Sequence, residues 1–145
     1  METGRLPSTA LRIVLVAAGL VMIALGLNVG LGGIKTLGLQ ATGEFFRVTN
    51  QDMFANQDSH VRFLGGFWLG AGVLMLAGSV WFDRLRPLMT AICAMAFLGG
   101  MMRLSAHDPA IVLGPSLLPS AVAEVLGFPL LGVWINRQQR KAIRS

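Results

Sequence analysis

Asp58-Ser59-His60-Val61-Arg62-Phe63-Leu64-Gly65-Gly66 is the place where a polar stretch turns into a long apolar run. From Val61 to Phe82 the only charge is Arg62. A run of that length matches the roughly 20 residues a helix needs to cross a hydrocarbon core of about 30 Å. Two further runs follow it and one precedes it, so the reading of this junction as the mouth of a membrane span carries over to the whole chain. Composition agrees. Of 145 residues 54% are hydrophobic and 13% charged, with a mean hydropathy of +0.65, whereas soluble domains carry about 25% charged residues. The length fits one unit of about four spans and leaves no room for a separate soluble domain.

The first run, about residues 12–31, follows a short leader with Arg5 and Arg12. It is longer than a signal peptide's apolar region and no A-x-A cleavage pattern closes it, so it reads as a retained span. Gly26 and Gly30 in it form a G-x-x-x-G pair suited to close helix approach. Residues 32–60 are mixed, with Gly32, Gly33, Gly38 and Gly43 as punctuation and Glu44, Asp52 and Asp58 as acids. Phe45, Phe46, Met53 and Phe54 suggest a short interfacial helix over about 43–56 with Thr42 as its cap; an irregular loop anchored by its Phe residues is the competing reading. Spans at about 61–82 and 88–104 form a tight hairpin, with Trp81, Asp83, Arg84 and Arg86 at the interface and Pro87 opening the first turn of the third span. The fourth, about 117–136, has Ser116 as candidate cap and Pro129 as a kink. The expected architecture is an all-α four-helix bundle, residues 1–145 forming a single four-span transmembrane domain.

Four spans put both termini and the second connection on one side. That side holds Arg5, Arg12, Arg84, Arg86, Arg137, Arg140, Lys141 and Arg144, against Lys35, Arg47, Arg62 and Arg103 on the other. Eight against four places the termini in the cytoplasm and the protein in a bacterial inner membrane. The net charge of +5 therefore reads as anchoring to anionic head groups rather than nucleic-acid binding. Cys93, the lone cysteine, lies inside an apolar run and reads as a small hydrophobic filler.

Three ionisable residues lie within or at the lip of the runs: Arg62, Arg103 and Glu124. Each costs about 2.5–3.5 kcal/mol if left toward lipid at mid-helix, so each needs a partner. All three share a helical face with small residues: Arg62 with Gly66 and Gly70, Arg103 with Gly99 and Gly100, Glu124 with Ser120 and Gly127. Gly65 completes the set of expected packing glycines. Because Cα–Cβ bonds tilt toward the helix N-terminus, Arg103 leans back into the membrane and Arg62 leans outward. Arg103 with Glu124 is thus the expected buried pair. Arg62 is expected to reach the loop, where Asp58, Asp52 and Glu44 are available. Asn28 is a candidate to join this polar cluster from the first span.

His60 and His107, beside Asp58 and Asp108, could in principle converge on a metal. His60, His107 and Asp108 are the candidate ligands, but their spacing matches no ligand signature. No metal and no cofactor is expected. There is no nucleophile motif, phosphate loop or dinucleotide fingerprint.

Asn56 to Gly66 (N-x-D-S-H-x-R-F-x-G-G), Gly99 to Ser105 (G-G-x-x-R-L-S) and Glu124 in the last span resemble a bacterial family of short four-span membrane proteins, the domain of unknown function 4345 type. The resemblance covers nearly the whole chain. It implies the four-helix architecture with Arg62, Arg103 and Glu124 as polar positions, and it implies no activity. The functional expectation is a non-enzymatic structural or interaction protein, such as an accessory subunit, in contact with the bilayer and engaging a membrane protein partner, a second copy or a bound lipid. The rival readings are a carrier of small molecules, anions or lipids and a membrane-embedded enzyme.

Overall fold

A computed structural model of the chain describes residues 7–39, 47–105 and 113–143. Among them every regular element is helical: α1 (Thr9–Gly32), a 3₁₀ segment (Gly33–Leu39), α2 (Gln51–Gly78), α3 (Phe82–Arg103), α4 (Leu118–Val122), a π segment (Ala123–Gly127) and α5 (Phe128–Ile143). Four helical stretches, Thr9–Thr36, Gln51–Gly78, Phe82–Arg103 and Leu118–Gln138, are long and apolar enough to cross a bilayer. The protein is an all-α integral membrane protein. Its surface agrees, because large apolar side chains such as Leu31 and Phe63 are 76% and 72% exposed, a liability in water but the expected face toward lipid. The chain forms two compact units, Val14–Ala77 and Gly78–Ser145 with Met1–Ile13.

Helix α1 begins at Thr9, earlier than expected, because Ser8 starts it. The Leu11 N–H donates to the Ser8 hydroxyl at 3.4 Å and the Arg12 N–H to the Ser8 carbonyl at 2.9 Å, which places Ser8 at the cap. In the Val14–Ala77 unit α1 and α2 meet along a glycine seam. A Cβ on Gly19 would lie 2.9 Å from the Gly72 carbonyl oxygen. A Cβ on Gly26 would overlap the Leu69 backbone, and one on Gly65 the Gly30 backbone. Gly19, Ile23, Gly26 and Gly30 on α1 and Gly65, Leu69, Gly72 and Leu76 on α2 repeat at i, i+4, i+7 and i+11. This is the period of one helix stripe facing another, and small residues let the two backbones touch. Gly66 and Gly70 do not share this role. A Cβ at either meets nothing within 4 Å, since Gly66 stands about 100° around the helix from Gly65.

The largest departure from the sequence reading is the start of α2. Asn50 accepts the Met53 N–H on its side-chain oxygen at 3.0 Å and caps a helix that opens ten residues before the apolar run. Residues 51–56 of the expected interfacial helix belong to α2, residues 47–50 are not helical, and Thr42, Glu44, Phe45 and Phe46 lie outside the described residues. The cause is polarity: Gln57 to His60 read as loop between that helix and the second span because they are hydrophilic, yet Gln51 to His60 contain no helix breaker. At 28 residues and 1.5 Å per residue α2 is about 42 Å long, more than a hydrocarbon core, so its polar first turns project beyond the apolar run or the helix tilts.

In the other unit α3 starts at Phe82, so Pro87 lies inside the helix and not at its opening. The proline withholds one N–H near the exposed helix start, and the helix continues through it. Helix α3 packs on α5 and on the π segment. A Cβ on Gly100 would lie 2.7 Å from the Glu124 Cβ, and one on Gly132 3.2 Å from the Cys93 Cβ. These two approaches, seven residues apart on α3 and eight apart from the π segment to α5, fix an antiparallel register. Cys93 is buried at 2% exposure and fills this seam. Ser116 does not cap the last helix; Leu117 occupies the cap position without a side-chain bond and Pro119 follows in the first turn. The Ser120 hydroxyl donates to the Leu117 carbonyl at 2.8 Å instead. The distortion expected at Pro129 is a π segment in the turn before it: the Phe128 N–H bonds the Ala123 carbonyl, a five-residue step. Pro129 has no N–H for the Val125 carbonyl and its ring crowds that group, so a wider turn relieves both.

Candidate functional site

Two charged arrangements stand out, one in each unit. In the first, Glu124 lies on the π segment and is 7% exposed. Arg103, in the last turn of α3, donates from Nε to Glu124 Oε2 at 2.7 Å and from a terminal nitrogen to Oε1 at 3.1 Å. This fork-to-fork geometry is the stronger form of the ion pair, because two N–H bonds fix both planar groups together. Gly100 makes it possible: with no side chain there, α3 closes onto the Glu124 stem. The arginine remains 41% exposed while the carboxylate is enclosed, so the pair joins a buried anion to a cation that retains access to the boundary of the helices.

In the second, Asp58 and Arg62 are one turn apart on α2. Arg62 Nε donates to Asp58 Oδ2 at 2.6 Å. The same guanidinium turns its other edge to the end of α1, donating to the Leu31 carbonyl and, at 3.4 Å, to the Gly30 carbonyl. The last carbonyls of a helix have no partner of their own, and a cation there also meets the negative end of the helix dipole. Asp58 completes the arrangement by accepting the Ile34 N–H on Oδ1 at 2.8 Å. Between these contacts Gly33 adopts φ +67°, the left-handed conformation glycine supplies after a helix, and its Cα faces the Asp58 carboxylate closely enough that a Cβ would overlap it. Lys35 lies 5.7 Å over the Phe54 ring, a cation–π contact that also ties the 3₁₀ segment to α2.

The structure thus joins Arg103 with Glu124 and Arg62 with Asp58. It leaves the other candidates apart. Asn28 does not enter either arrangement; its side-chain oxygen is buried with no hydrogen-bond partner. His60 is exposed, and its Nδ1 lies 2.8 Å from the Asn56 carbonyl oxygen one turn back on the same helix. Asp52 is exposed in the first turn of α2. Gly99 meets nothing within 4 Å, so Gly100 alone of that doublet makes the close approach. His107 and Asp108 lie outside the described residues, among which no three His, Cys, Asp or Glu residues are grouped as metal ligands. Gly33, the Leu31 carbonyl and the Ile34 amide did not emerge from the sequence as site groups. The signal was the Gly32-Gly33 doublet at the end of the first apolar run, where a glycine past the last periodic residue marks a helix C-terminus.

In one unit an arginine–carboxylate fork thus joins two helical segments, and in the other an arginine of α2 caps the end of α1. The chain belongs to the family described as domain of unknown function (DUF4345), whose model matches residues 10–135. No curated protein and no solved structure matches it.

Proposed function

We propose that the chain is a non-enzymatic membrane protein in which Arg62 and Arg103 are internal fastenings, and that it serves as an interaction or accessory subunit in a bacterial inner membrane with both termini cytoplasmic. The observation that carries this reading is the engagement of both guanidinium groups within the chain: Arg103 at two nitrogens by Glu124, and Arg62 by Asp58 and the α1 carbonyls. An anion carrier needs a cation that trades one anionic partner for another, and here each arginine is held by groups of its own chain. The exposed polar start of α2, Gln51 to His60, offers a rigid helical surface beyond the apolar run on which a partner protein can dock. The excess of basic residues beside the termini supports the orientation.

A ligand that binds the folded state raises the unfolding temperature, by an amount that grows with the logarithm of its concentration over Kd once that ratio exceeds one. Purified protein in detergent is therefore expected to unfold at an unchanged temperature when inorganic phosphate, sulfate or a short carboxylate is added at millimolar concentration. A stabilisation that Arg62→Gln or Arg103→Gln abolishes would replace this reading with an anion carrier.

A further inference from the structure

Helices α3 and α5 enclose a groove of about 450 Å³ away from either charged arrangement. We infer that this groove holds one acyl chain of an anionic phospholipid, with the phosphate on Arg137. The occupant follows from how the walls change along the groove. Its body is apolar, formed by Ala94, Phe97, Pro129 and Val133. Its other end carries Thr90, Asn136 and Arg137. The antiparallel register set by Gly132 against Cys93 brings Asn136 and Arg137 to the level of Thr90, while Pro129 lies at the level of Phe97. Thr90 to Phe97 covers seven residues, so the groove extends about 11 Å along the helix axis from a cationic mouth to an apolar floor.

That gradient matches a lipid and not a soluble ion or a neutral peptide helix. Arg137 forms no ion pair among the described residues, in contrast to Arg62 and Arg103. A cation at the end of a membrane helix without a protein carboxylate is available to a phosphate, and basic pockets between membrane helices are recurrent head-group sites. Asn136 does not compete for that phosphate, because its amide donates to the Gly132 carbonyl at 2.9 Å. Thr90 adds an independent sign. Its hydroxyl is buried without a hydrogen-bond partner, where a membrane threonine ordinarily bonds a carbonyl of its own helix. Having no bond to lose, it can turn about χ1 between staggered positions and donate to an ester oxygen entering the groove beside it. The inference concerns a different part of the molecule from the two fastenings and does not depend on them.

The test is native mass spectrometry of the full chain released from vesicles of equimolar phosphatidylglycerol and phosphatidylcholine. Variants are accepted only if helical by circular dichroism and monodisperse. The chain is expected to retain one phosphatidylglycerol at about tenfold preference over phosphatidylcholine, a difference of about 1.4 kcal/mol. Arg137→Gln should bring the preference near unity. Ala94→Phe, which fills the groove, should remove both lipids. Thr90→Val, nearly isosteric, should lower phosphatidylglycerol retention about threefold, and Arg84→Gln, exposed and outside the groove, should change nothing. Equal losses from Arg137→Gln and Arg84→Gln would reduce the effect to diffuse surface charge. Full retention by Ala94→Phe, or a dimer that carries no lipid and is broken by Ala94→Phe, would likewise overturn the inference, the dimer by making a second copy the occupant.

Discussion

Arg103 and Glu124 share two hydrogen bonds at the one turn where the last membrane helix widens into a π segment. The widening, the proline that causes it and the glycine opposite it belong together. Pro129 forces the wide turn, the wide turn sets the direction of Glu124, and Gly100 lets α3 come near enough for Arg103 to grip it. Buried charge at such a point is costly unless paired.

The two partners should not be equivalent when removed. Arg103→Gln leaves a carboxylate at 7% exposure without a cation, whereas Glu124→Gln leaves an arginine that can extend toward the boundary. Arg103→Gln is expected to cost about 2–3 kcal/mol and Glu124→Gln about 1 kcal/mol, below the 3–5 kcal/mol of a fully enclosed pair. Reversible unfolding in mixed micelles measures both, and equal losses would contradict the asymmetry of burial.

Adjacent glycines in α2 should behave oppositely. Gly65→Leu places a side chain into the Gly30 backbone, while Gly66→Leu projects into open space. Overpacking at the first should lower stability by 3 kcal/mol or more, at the upper end of the usual range because the obstacle is backbone, and the second should change it by less than about 0.5 kcal/mol. Thermal unfolding of the two variants side by side is the check. Severe loss at Gly66 alone would show that an outside partner, not α1, sets the constraint on α2.

At the end of α1 the effect should be local. Gly33→Ala meets both a φ of +67° and the Asp58 carboxylate, so a loss of about 1–2 kcal/mol is expected. Asp58→Asn keeps an acceptor for Ile34 but removes the negative charge facing Arg62, and should lower stability less than Gly33→Ala does, because the pair is exposed and screened. Hydrogen exchange should show the Ile34 amide opening faster in both variants while α3 and α5 amides hold their rates. Uniform acceleration across the chain would mean that this turn is coupled to global unfolding.

Much of this was readable in the residues. Four apolar runs fixed the class, and the tilt of Cβ toward the helix N-terminus aimed Arg103 at the last helix. Other features were hidden for physical reasons. Polarity marked Gln57 to His60 as a loop between an interfacial helix and the second span, because hydrophilic composition does not separate a loop from a helix that leaves the bilayer; only Asn50 signalled the start. Gly65-Gly66 and Gly99-Gly100 read as equivalent pairs, but 100° of rotation per residue sends one member of each to the neighbour and the other away. The seven-residue spacings of Gly19 with Gly26 and Gly65 with Gly72 held the seam in plain view, masked by the more familiar four-residue pair at Gly26 and Gly30. The groove between α3 and α5 left no sequence signal, since it is made of a register that only packing defines.

The central claim is that the charged groups are bound to each other within the chain. A double-mutant cycle on Arg103→Gln and Glu124→Gln, read as unfolding free energy, tests it most directly. The account predicts that the double variant is no less stable than Arg103→Gln alone, giving a coupling of about 1 kcal/mol or more. Losses that simply add, with no coupling, would contradict it.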